Sequence, residues 1–116
     1  MDKQTDAIAT AYQIRLSENA VQNIDEITGY IAFINHQPMN AIKVGDAFFE
    51  AFGKIQKNPY AYKECLLIPT KSKMYRQKLC LSWYIIYKIT APQIIVLGII
   101  HKGRKPSKIK ALRKVK

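Results

Sequence analysis

The spacing of apolar residues changes twice along this chain, from every second position to helical spacing and back again. That order fixes which elements it can form. Tyr12, Ile14 and Leu16 alternate with Gln13 and Arg15, as in a half-buried strand. Ser17 suits a helix N-cap, and Glu18 behind it complements the helix dipole. Ala20, Ile24, Ile27, Ile31 and Ile34 then recur at steps of four, three, four and three, which is one face of a helix. Tyr30 and Phe33 are predicted to widen that stripe, with Asp25 and Glu26 toward solvent.

Asn35-His36-Gln37-Pro38 breaks the pattern, and Pro38 fits a first helical position, where its missing N–H would have had no partner. A second helix follows through Ala41, Val44, Phe48, Phe52 and Ile55 and ends at Asn58-Pro59. Two amphipathic helices with so short a break form an antiparallel hairpin. Tyr60 to Lys73 is predicted to be an irregular connection. Three strands come next: Tyr75 to Leu81, strictly alternating, then Trp83 to Ile89 and Ile94 to Ile100, joined by a turn at Thr90-Ala91-Pro92-Gln93. The apolar density of the last strand predicts cover on both of its faces.

The reading is therefore α+β: a helical hairpin packed on a small, mainly antiparallel four-stranded sheet, in the order β-α-α-β-β-β. The first strand either pairs at the edge or enters beside the last one, and one face of the sheet is expected to stay open to a partner. A loose polar segment is expected over residues 1–11, the folded domain over 12–106, and a basic tail or short helix over 107–116. In that tail Ile109, Leu112 and Val115 fall on one side behind Ser107.

A chain of 116 residues supports one modest core. Met1 to Thr10 lacks the pattern of a secretory signal, and the run Ile94–Ile100 is too short to span a bilayer, so a cytoplasmic protein with no membrane role is expected. Cys65 and Cys80 form no Cys-x-x-Cys pair, and His36 and His101 are far apart in sequence. Reduced thiols are expected, with no metal and no cofactor.

Charge is divided unevenly. Residues 1–70 carry six Lys/Arg against eight Asp/Glu, whereas residues 71–116 carry thirteen Lys/Arg and no acid. The net +11 thus resides in the second half, where such a field attracts nucleic acid, an acidic protein or an anionic membrane surface.

The element order, the Ala20/Ile24/Ile27/Tyr30 pattern, Lys57-Asn58-Pro59, Tyr84-Ile85-Ile86-Tyr87 and Ile99-Ile100-His101-Lys102-Gly103-Arg104 together resemble the RelE/ParE superfamily over about residues 12–106. These are toxins of type II toxin–antitoxin systems. The resemblance implies growth arrest, a cognate acidic antitoxin and a toxin–antitoxin hetero-oligomer. It also implies one of two targets: DNA gyrase, as in ParE-like members, or messenger RNA on the ribosome, cut by metal-independent RelE-like endoribonucleases. A plain nucleic-acid-binding module is the alternative outside the toxin class.

RNA cleavage needs a base, an acid and cations on the phosphate that gains charge. Arg76 and Lys78 share one side of their strand and could clamp a phosphate. His101 is the residue type that exchanges a proton near neutrality. Arg76, His101 and Arg104 are thus the catalytic candidates if the protein is a nuclease. Arg76, Lys78, Tyr84, Lys102, Arg104 and Lys105 are candidates for binding nucleic acid or a protein target. Arg76, Lys78 and the segment from His101 to Arg104 are expected to face one shared anionic ligand, with Arg76 and Arg104 exposed. One departure counts against cleavage. RelE-like nucleases carry an arginine in a pattern like Tyr-Arg-x-x-Tyr, whereas this chain has Trp83-Tyr84-Ile85-Ile86-Tyr87, and a neutral phenol cannot replace a guanidinium there. The run ending at His101 is the more ParE-like.

Overall fold

Ser17, where the apolar period changes, is a physical junction. The computed structural model describes residues 12–116; the expectation for residues 1–11 lies outside the described residues. Strand β1 (Gln13–Leu16) runs into helix α1 (Glu18–Gly29). Ser17, 1% exposed, accepts the Ala20 N–H on its hydroxyl oxygen at 3.0 Å and donates that hydroxyl to the Leu97 carbonyl at 3.0 Å. One side chain therefore caps the helix and fastens it to the sheet. Removing such a cap costs about 1 kcal/mol.

Beyond Gly29 the helix widens into a π turn (Tyr30–Ile34), in which the Asn35 N–H bonds the Tyr30 carbonyl at 3.1 Å. Such a turn holds an extra residue and rotates the side chains beyond it about the helix axis. Ile31 stays buried, but Tyr30 (58% exposed), Phe33 (77%) and Ile34 (61%) point outward, which corrects the stripe expected for them. Helix α2 (Pro38–Lys57) starts on its proline and buries Ala41, Val44, Phe48, Phe52 and Ile55 as its spacing predicts, with Asn58 as C-cap.

The connection after α2 is more regular than expected. It contains a short 3-10 turn (Pro59–Ala61) and a two-residue strand, β2 (Lys63–Glu64), pairing Lys63 with Gln77 and Glu64 with Arg76. With β3 (Tyr75–Cys80), β4 (Trp83–Thr90) and β5 (Gln93–His101) this makes five strands in the order β1-β5-β4-β3-β2. The expected four-stranded sheet is present, and β2 adds a short fifth strand at its edge. The first strand enters beside the last, parallel to it, and the other pairs are antiparallel.

β1 covers β5 only as far as Val96. Past that point α1 takes over: the Asn19 amide donates to the Leu97 carbonyl at 2.9 Å, and the Asn23 amide oxygen accepts the Ile99 N–H at 2.9 Å. Opposite, the register slips between Ile86 and Tyr87, which pair with Gly98 and Val96, leaving Leu97 as an extra residue. This bulge reverses the alternation. Ile94, Val96 and Ile99 face the hairpin core, and Leu97 faces the other side.

The second face is not open. Cys65, Ile68, Tyr75, Ile86 and Leu97 form a second buried cluster with Ile109 and Leu112 from α3 (Pro106–Lys110) and the 3-10 turn behind it (Ala111–Lys114). The last strand is thus covered on both faces, as its composition predicts, and the basic tail provides part of the lid. Gly98 makes this possible: a Cβ there would lie 2.8 Å from Leu112 Cδ2, 3.0 Å from Asn19 Nδ2 and 3.1 Å from Asn23 Oδ1.

Candidate functional site

The seven candidate side chains fall into three groups. Arg76 and Lys78 lie on the hairpin side of β3, opposite Tyr87 and Ile85 of the hairpin core and beside β2. The Arg76 guanidinium donates from Nε to the Lys73 carbonyl at 2.8 Å and from Nη1 to the carbonyls of Tyr62 at 2.9 Å and Tyr60 at 3.2 Å. It also stands 5.2 Å from the Tyr60 ring, and the Lys78 ammonium stands 4.4 Å from the Tyr62 ring. Arg76 is half-buried, not exposed as expected, and it ties the residue 60–62 turn to the residue 73 loop. Next to it the Tyr87 hydroxyl donates to the Pro59 carbonyl at 2.6 Å. Burial pushes the Tyr87 phenol well above the usual tyrosine range, against the opposing pull of the Arg76 charge.

His101, Lys102, Arg104 and Lys105 form the second group, all exposed where β5 ends. The Lys102 N–H bonds the Ser82 carbonyl at 2.9 Å, and the Arg104 N–H bonds the His101 carbonyl at 3.0 Å, so the segment folds back over the β3–β4 turn. The His101 ring sits edge-on to Trp83 at 5.7 Å, and Trp83 packs edge-on against Phe48 at 5.5 Å. His101 Nδ1 accepts the Gly103 N–H at 3.0 Å, which leaves the proton of the neutral ring on Nε2. Of these residues His101 and Arg104 border a cleft of about 1080 Å³ between the hairpin and the sheet, with Lys108, Tyr30 and Glu26 also in its walls.

Tyr84 stands alone. It lies opposite Leu79 and Ile100 and packs against the second cluster, on the far face from His101. His101 and Arg76 do share a face, since Trp83 pairs with His101 and Tyr87 with Arg76. They are nevertheless two strands and four residues apart, about 16 Å, with Trp83 under Phe48 in between. The structure joins His101 to Arg104 and leaves Arg76, Lys78 and Tyr84 elsewhere, so the seven do not converge on a single ligand.

The outer face of the hairpin is a surface that the sequence reasoning missed. Phe33, Met39 (68% exposed), Ile42 (57%) and Phe49 (57%) project from it. A groove of about 640 Å³ runs between the helices, lined by Ala32, Phe33, Pro38, Ile42 and Phe49. The signal was present: Met39, Ile42 and Phe49 form a second apolar stripe on α2, beside the Ala41–Val44–Phe48 stripe. Contiguous exposed apolar area of this kind marks an interaction surface.

Both cysteines are free. Cys65 lies in the second cluster and Cys80 packs against the hairpin core, on opposite faces of the sheet, and burial pushes both thiols up. Among the described residues no helix is long and apolar enough to cross a membrane, and no three His, Cys, Asp or Glu side chains gather as metal ligands.

A hairpin of helices on a mixed sheet is an architecture shared with a solved structure titled "Chromosomal ParDE TA system from P. aeruginosa". The two align with a TM-score of 0.62 at 16% identity, over 79% of this chain and 97% of that one, which establishes a common fold. Among curated proteins none matches by sequence. The family model described as "ParE toxin of type II toxin-antitoxin system, parDE" matches residues 14–106, and the chain belongs to that family. It is accordingly a toxin of the ParE kind, of the type II toxin–antitoxin class.

Proposed function

We propose that this toxin arrests growth by acting on DNA gyrase and does not cut RNA. The observation carrying this reading is the state of the two positions nearest the RelE-like catalytic cation. Tyr84 occupies that position with a neutral phenol turned toward the second cluster, and Arg76, on the neighbouring strand, is committed to three backbone carbonyls. Neither offers a free guanidinium to a phosphorane. Lys102, Arg104 and Lys105, exposed on one corner, are suited instead to steer the protein onto an anionic target and to hold it there.

Neutralisation uses a different surface. The cognate antitoxin seats an apolar segment on the hairpin groove around Phe33, Ile42 and Phe49, and its acidic stretches reach the basic second half. Groove and charge then act as two linked contacts. The test is induction of the gene alone in a bacterial host. Growth arrest with DNA breaks and an SOS response, reversed by co-expression of the neighbouring antitoxin gene, is the expected result. Arrest with rapid message cleavage and no DNA damage would overturn the gyrase reading, and unimpaired growth would overturn the toxin reading itself.

A further inference from the structure

The cleft beneath the hairpin, about 1080 Å³, is large enough to admit a small molecule and is lined by polar as well as apolar groups. One wall carries the cations Arg104 and Lys108 beside His101, and among the described residues neither Arg104 nor Lys108 has a carboxylate partner within salt-bridge distance. With His101 Nδ1 already taken by Gly103, its Nε2–H is the ring donor left to a ligand. The facing wall is of another kind. It carries the Glu26 carboxylate and the amides of Asn35 and Asn40, which accept hydrogen bonds from amino and hydroxyl groups. Tyr30, 58% exposed, and the half-buried Trp83 add aromatic surface.

The rim also holds a strained residue. Leu81, 56% exposed, sits at φ 56°, a conformation that favours glycine, in the two-residue turn above the cleft. A bulky apolar side chain kept in that conformation and left in solvent is costly, and such strain concentrates at binding sites. A continuous polyanion would set phosphates against Glu26 as well as against the cations. A ligand with one anionic end and one polar aromatic end meets both walls.

We propose that this cleft binds a single phosphorylated nucleoside, with its phosphate on Arg104, Lys108 and His101 Nε2–H and its base and ribose toward Trp83, Tyr30 and the Glu26–Asn40 wall. The site goes beyond the gyrase reading and is tested apart from it, on the purified protein, so either can fail without the other. Trp83 is the only tryptophan in the chain, which makes it a built-in reporter.

The experiment is a titration of Trp83 fluorescence, excited at the red edge of its absorption, with adenosine 5′-monophosphate, adenosine and inorganic phosphate in separate arms. The nucleotide should give a saturable change, and each of the other two should bind at least 10-fold more weakly. Arg104→Ala and Lys108→Ala should each weaken the nucleotide about 10-fold, the loss expected of one charge-assisted contact, while Lys88→Ala leaves it unchanged. Both residues are exposed, and circular dichroism of the variants separates lost binding from lost fold. Equal binding of phosphate and nucleotide would overturn the proposal by reducing the site to an anion patch. Equal binding of adenosine, or displacement of the nucleotide by an acidic peptide at the same concentration, would overturn it as well.

Discussion

Replacing Arg76 with alanine removes the donor that joins the residue 60–62 turn, the residue 73 loop and β3. Its bond to the Tyr62 carbonyl is partly buried, and those to Tyr60 and Lys73 are exposed. A charge-assisted bond in the first setting contributes about 1.5 kcal/mol and each exposed one about 0.5 kcal/mol, for a total near 2.5 kcal/mol. In a domain of this size that lowers Tm by roughly 10 °C. Urea unfolding followed by circular dichroism measures the loss directly. Arg76→Lys should recover less than half of it, because a compact ammonium cannot span three carbonyls. Arg104→Ala, whose side chain has no such partners among the described residues, should stay within about 0.5 kcal/mol of the parent. If Arg76→Ala matched Arg104→Ala in stability, the assignment of Arg76 as a structural tie would be refuted.

Gly98→Ala drives a methyl against Leu112 and the two asparagines and should destabilise by about 1–3 kcal/mol, whereas Leu112→Ala, which empties the lid, should cost about 2–5 kcal/mol; equilibrium unfolding reads both, and neutral effects would mean that the C-terminal segment does not pack on β5. Tyr87 is held protonated in the fold and ionises near pH 10.0 when unfolded, so its contribution is intact below that pH and is lost progressively above it. Tyr87→Phe should flatten the decline of stability on the alkaline side, and an unchanged slope would contradict the buried phenol. Phe33→Asp combined with Ile42→Asp alters only exposed positions, so the fold should persist while affinity for the antitoxin falls at least 100-fold by calorimetry. Undiminished binding would place the antitoxin elsewhere.

Helices and strands were legible in the sequence where one periodicity had one cause. The Ser17 cap, the Pro38 start, the α2 core stripe and the β3–β4–β5 meander follow from local chemistry that tertiary contacts reinforce. The misreadings occur where the backbone departs from its period. A π turn at Tyr30–Ile34 reversed the exposure of three apolar side chains, and no residue in that stretch announces it. The bulge at Leu97 was hidden because a strand apolar on both faces has no alternation to break. The second face seemed open because Cys65, Ile68, Ile109 and Leu112 are scattered through segments without strand or long-helix patterns.

Candidate cations were found by type, since the charge division is plain in the chain. Their grouping was not, because Arg76 and Arg104 look alike until one is seen to bind three carbonyls and the other to line a cleft. The asparagines that finish the β5 edge were invisible for a similar reason. Asn19 and Asn23 read as ordinary polar positions of an amphipathic helix.

Purified toxin added to two reconstituted reactions, gyrase supercoiling of relaxed plasmid and translation of a defined message on ribosomes, separates the two modes of action most directly. Loss of supercoiling or accumulation of cleaved plasmid, with the message intact and antitoxin restoring activity, is the outcome expected of a chain whose Tyr84 and Arg76 are both turned to structural use. A message cut at discrete positions, with supercoiling untouched, would show that a catalytic cation exists after all.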